Sequence, residues 1–268
     1  MIDQLFKASW IEKRPWRAFF IASVYSFISF FSAIIIFPSF AGIASVGLLS
    51  VLLVPSINYL LTLEEKQEVR EKKLDLKQLF KDHRDVLETY FYLFIGIMVS
   101  YALITLFLGF DSKTVFKEQL SVVNVKGLAY ENIDHYKFFK QVFLNNLSVL
   151  VVFLFLSLVY GAGSLMFLSW NASAWGVVFG FFAFQSAITR GVNPLKTFLL
   201  LMLRVTPHTV LEALAYLMVA FAGGVIGKAV LREELFSDRF KHVLTDGVII
   251  TLLAIIPLTL AAIIETIV

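Results

Sequence analysis

Apolar and polar positions alternate along this chain in long blocks, with none of the period-two alternation of strands. Runs of about 20 apolar residues, the length that crosses a hydrocarbon core of about 30 Å as a helix, fall at 18–37, 40–61, 90–109, 147–170, 174–189, 208–227 and 247–267. The first five hold no Asp, Glu, Lys, Arg or His, as lipid or a dry bundle interior requires. The pattern predicts an all-α polytopic transmembrane bundle of about seven spans. The fifth run is short: its 16 residues reach about 24 Å at 1.5 Å per residue, so it reads as a short crossing or as a re-entrant arm, which would leave six.

Two polar insertions divide the runs. Residues 64–88 mix both charge signs and place Glu68 four residues before Lys72, which predicts a helical cytoplasmic hairpin between two spans. Residues 111–146 form the longest segment on the other side and end in YKFFKQVFLNN. Its Phe138, Phe139, Val142 and Phe143 share one helical face, which predicts an interfacial helix feeding the fourth span. A second interfacial helix is expected over 195–205, bounded by Pro194 and Pro207. This divides the chain into a three-span region, 1–110, an external segment, 111–146, and a four-span core, 147–268.

Composition supports this class. Of 268 residues 59% are hydrophobic, 28 are Phe and only 16% are charged, against about 45 to 50% apolar in soluble domains. The net charge of +3 does not indicate nucleic acid, because the basic residues flank the apolar runs. Fifteen of the 23 Lys and Arg lie at 7–17, 66–84 and 228–241, and this excess predicts a cytoplasmic N-terminus and, after seven spans, an external C-terminus. Trp10, Trp16, Trp170 and Trp175 would then line the inner interface. The first run, 20 residues long without a small-residue cleavage site, reads as an uncleaved anchor. The chain has no cysteine, so disulfides, thiolate metal sites and cysteine nucleophiles are excluded.

Small residues predict close helix contacts. Gly176 with Gly180 and Gly223 with Gly227 each make a GxxxG, and Gly161 and Gly163 lie in the fourth run; such sites let backbones approach within one bundle or between protomers of a homo-oligomer. Pro55 and Pro257 are expected to kink their spans.

The candidate chemistry is concentrated in the second half. His208 and Glu212 lie one helical turn apart at the start of the sixth run, where ionisable groups are costly unless something uses them. Threading seven spans brings Asn145, Asn146, Arg190, His208, Glu212 and Glu265 to the same, external, end. Such a cluster can act as a polar clamp between helices, a docking site, or a proton or cation site. His208, Glu212 and Glu265 are the side chains positioned to offer metal ligands, but without HExxH, a His pair or cysteine no metal or cofactor is assigned. No Ser sits in a GxSxG elbow, so an acyl-transfer triad has no starting point.

The residues FLNNLSV with Asn145 and Asn146, NASAWG with Asn171 and Gly176, PHTVLEALA with Pro207, His208, Glu212 and Ala213, and LAAIIET with Ala261, Ala262 and Glu265 resemble the stage II sporulation protein M family over about 137–268. Ala172 and Thr209 stand where that family usually has glycine. The first two spans and the charged loop resemble its archaeal and other non-sporulating members. The resemblance implies an integral membrane protein. In endospore formers it implies a component of a peptidoglycan-degrading engulfment complex that scaffolds partners and does not cleave the wall itself.

The leading expectation is a non-enzymatic membrane scaffold in the cell membrane, in contact with the lipid bilayer and with a membrane or envelope protein partner. The rivals are a small-cation or proton-coupled transporter or channel, and an intramembrane metal-dependent hydrolase. Spans one to five lack a charge to complete a transmembrane path, and no inverted repeat is evident, which disfavours transport.

Overall fold

The computed structural model describes residues 11, 14–68, 84–121, 134–160, 164–234 and 237–267, and no strand occurs among them. The helices are α1 (Arg17–Ile36), α2 (Ala41–Glu68), α3 (Arg84–Leu108), α4 (Ser112–Val115), α5 (Lys117–Ser121), α6 (His135–Tyr160), α7 (Ser164–Arg190), α8 (Pro194–Arg232) and α9 (Asp238–Ile267). Seven of these, all but the short α4 and α5, are long and apolar enough to cross a membrane.

The boundary between the fourth and fifth spans differs from the sequence reading. The fourth helix ends at Tyr160, and Trp170 belongs to α7, whose 27 residues extend about 40 Å at 1.5 Å per residue. The fifth span is therefore neither short nor re-entrant in length. The division was placed at Trp170 because the apolar run carries no charged or amide residue ahead of Asn171. Local chemistry also explains how α7 stops. Gly191 has φ +63°, the left-handed geometry that ends helices and that glycine adopts without a Cβ penalty. Asn193 then caps α8, its side chain accepting from Lys196 N at 3.1 Å, with Pro194 at the first helical position.

The two expected interfacial helices are helical but are not separate elements. Phe138 to Phe143 lie within α6, and 195–205 is the first part of the 39-residue α8, which at 1.5 Å per residue is about 58 Å long. Pro207 sits inside α8 and does not end it; in that turn the Thr206 hydroxyl donates to the Met202 carbonyl. Tertiary packing overrides the proline signal: Phe198 is buried beside Ala102 of α3 and Ala183 of α7, which holds this stretch against the bundle.

Glycine contacts set the order of helices. A Cβ on Gly176 would strike the Met98 carbonyl, and one on Gly180 would lie 2.7 Å from the Ala102 carbonyl, so α7 runs parallel to α3. A Cβ on Gly223 would meet Ser157 Cβ at 2.6 Å, and one on Gly227 the Leu158 carbonyl at 2.8 Å, so α8 runs parallel to α6. Both GxxxG pairs are thus used within the chain, whereas Gly161 and Gly163 lie outside the described residues. Gly247 of α9 meets Ile226 of α8.

The segment after α3 is not a free loop. Phe116, fully buried, packs on Phe30 at 5.6 Å and Tyr101 at 5.9 Å. The Gln119 amide donates to the Gly42 carbonyl at 3.0 Å, and the Tyr101 hydroxyl donates to Ser45 Oγ at 2.8 Å. Residues 112–121 therefore cap α1 and α2. Of the predicted tryptophan belt, Trp16 is exposed, Trp175 packs edge-on against Phe94 at 5.1 Å and so serves helix packing, and Trp10 lies outside the described residues. Of the hairpin, α2 continues to Glu68 and α3 starts at Arg84, whose Nε donates to Glu88 at 2.6 Å; the Glu68 and Lys72 pairing falls outside the described residues.

Candidate functional site

The polar cluster is built by α6, α8 and α9. Asn146 and Glu212 are each only 7% exposed, and Asn146 Nδ2 donates to Glu212 Oε1 at 2.5 Å. This hydrogen bond crosses between two parallel helices. From α9, the half-buried Glu265 brings its carboxyl group within hydrogen-bonding reach of Glu212. Asn145 Nδ2 donates at 3.3 Å to Asn146 Oδ1 and is itself exposed. A chain of polar contacts therefore ties three helices far apart in sequence.

Two expected members do not join it. Arg190 is exposed at the end of α7 and makes no hydrogen bond or ion pair among the described residues. The groups acting electrostatically on Glu212 are Glu265 and Asn146, with no arginine among them. His208 is half-buried, and its Nδ1 has no hydrogen-bond partner. His208 makes no hydrogen bond with Glu212, and among the described residues His208, Glu212 and Glu265 do not converge as a set of three metal ligands. The turn spacing put His208 and Glu212 on one helix face, but Glu212 is drawn to its neighbours on α6 and α9.

The depth also differs from expectation. The sequence reading began the sixth span at residue 208, which placed Glu212 at its mouth. With α8 starting at Pro194, Glu212 stands near the middle of the helix, whereas Glu265 is close to the end of α9.

Tyr216, not singled out from the sequence, completes the cluster. It is 3% exposed, stacks on Phe153 of α6 with ring centroids at 5.4 Å, and lies within electrostatic reach of both Glu212 and Glu265. Its position four residues after Glu212, on the same helix face, was the available signal. A second buried acid was also missed. Asp246, 4% exposed, has its Oδ2 3.5 Å from His242 Nε2 toward the other end of α9. It fell one residue before the apolar run assigned to the seventh span.

Two carboxyl groups in contact have no donor between them unless one carries a proton. As two unit charges about 4 Å apart they would repel by roughly 4 kcal/mol at an effective dielectric near 20. The arrangement can thus hold helices together, hold a proton, or offer oxygen ligands to a cation.

Residues 27–268 match the family model described as stage II sporulation protein M. The chain belongs to this family. The match extends the motif-based resemblance toward the N-terminus, and the whole polar cluster lies within it. At the two positions where the family usually has glycine, Ala172 and Thr209 are both buried, so close packing is kept there with a side chain present. Comparison with curated proteins and with solved structures found no match.

Proposed function

We propose that this stage II sporulation protein M family member is a non-enzymatic scaffold of the cell membrane. Its N-terminus is cytoplasmic and its C-terminus external, and it organises a membrane or envelope complex. The observation that carries the reading is the contact chain from Asn146 through Glu212 to Glu265. Each of these polar groups is directed at another helix, which is how a clamp uses buried polarity. The basic-residue distribution supports the orientation, and the family resemblance implies a wall-hydrolase complex as the kind of partner.

A transporter would use the same carboxyl groups as a proton or cation path, and the two readings separate experimentally. In the scaffold, Glu212→Gln and Glu265→Gln keep most of the hydrogen bonding, so fold and partner capture fall only modestly. Protein reconstituted in liposomes is expected to show no pH-driven flux, and the purified protein no stoichiometric metal. Reproducible flux abolished by Glu212→Gln would overturn the scaffold in favour of transport.

A further inference from the structure

The contact between Glu212 and Glu265 has a feature that a fixed clamp does not need: both partners are acids. Asn146 of α6 donates to Glu212 Oε1 at 2.5 Å, and Tyr216 of α8 lies within electrostatic reach of both carboxyl groups. His208, one turn before Glu212 on α8, exchanges no hydrogen bond with either. None of the groups acting on the pair comes from α2, α3 or α7, which also pack against α8, among the described residues. Among the described residues no cation acts on the pair to offset a second negative charge. The end of α9 is otherwise held by Leu258, Ala261 and Ala262, with Ile263 and Ile267 exposed. Beyond Ala262 no residue of α9 is fully buried, and the carboxyl contact is the polar tie at that end.

We infer that the Glu212 and Glu265 contact is a proton-held latch: with one proton between them the two carboxyl groups tie the end of α9 to α8, and with none they drive it away. The proton enters from and returns to water, and no other group changes charge. This rests on the clamp reading above, and makes the clamp reversible. A partner that recognises the docked end of α9 is then held in acidic surroundings and released in alkaline ones.

The absence of cysteine allows a direct test. Leu203→Cys on α8 and Ile267→Cys on α9 are exposed positions for a pair of spin labels in the full-length chain in nanodiscs. Their separation is measured by pulsed electron resonance between about pH 5 and about pH 9. One short distance is expected at low pH, with a longer one growing on raising the pH, by up to about tenfold in population ratio per pH unit for a single proton. Glu265→Gln, which cannot ionise, is expected to hold the short distance at every pH, and Glu212→Gln does the same as a second variant. An unchanged distance in the wild type across this range overturns the latch, as does a glutamine variant that follows pH like the wild type. Loss of the scaffold reading would show instead as liposome flux sensitive to Glu212→Gln, whatever the labels report.

Discussion

Replacing Asn146 by leucine tests the clamp where it is tightest. The two side chains are close in size, so little cavity forms, and the main effect is to strand Glu212 Oε1, now bonded at 2.5 Å in a residue 7% exposed. An unsatisfied buried acceptor costs about 1 to 3 kcal/mol, and Asn146→Leu is expected within that range. Glu212→Met removes the acceptor and strands the Asn146 amide, with a similar loss. The informative quantity is the coupling in Asn146→Leu/Glu212→Met, where neither end is left waiting for the other. Hydrogen bonds between membrane helices average about 0.6 kcal/mol in such cycles and reach about 1.7. With both partners buried the bond belongs in the upper part of that range, so about 1 to 1.7 kcal/mol of coupling is expected. Steric-trap unfolding in bicelles measures all four corners of the cycle. Single losses that add to within about 0.3 kcal/mol would mean that the two residues do not interact, and the three-helix clamp would fall with them.

Two further outcomes follow from the packing and the charge pattern. Gly176→Ala is expected to destabilise the bundle by about 1 to 3 kcal/mol relative to Gly47→Ala. Both gain the same helix propensity, but a Cβ at 176 meets the immovable Met98 carbonyl whereas one at 47 meets nothing within 4 Å; equal stabilities in the same unfolding assay would show that α3 and α7 are not in this contact. Ser121→Cys, at an exposed site, is expected to react with an impermeant maleimide added to the outside of intact cells, and labelling only from the inside would reverse the orientation.

The fold was legible where hydrophobicity decides it and obscure where packing does. Long charge-free runs announced the spans, and the Gly191 and Asn193–Pro194 signals stand in the sequence at the turn the structure makes. The division between the fourth and fifth spans was misplaced because no charged or amide residue stands between Ser148 and Trp170. Pro207 read as a boundary because a one-dimensional pattern does not contain Phe198 inserted between two other helices. At the site, seven-span threading brought Asn146, Glu212 and Glu265 together. Arg190 was added by the same threading and proved to be exposed at its helix end, since threading fixes height along the bundle but not azimuth around it. Tyr216 was overlooked because a tyrosine in an apolar run looks like packing, and only its register with Glu212 distinguishes it.

The parallel pairing of α3 with α7, and of α6 with α8, bears on how the protein is made. Neighbouring spans in a chain that weaves through a bilayer point in opposite directions, so parallel partners are separated by at least one intervening crossing. Each glycine contact must therefore wait for a helix synthesised well after its mate. α8, the most enclosed of the spans, emerges next to last. During translation α1, α2 and α3, each stable in the lipid by its own apolarity, can pack on one another early, with Gly96 against Phe19 and Ala22 of α1, but Met98 and Ala102 stay uncovered until α7 arrives. A truncation ahead of residue 194 should then insert normally and yet remain open to exchange and proteolysis, because its surfaces for the later helices are complete and vacant.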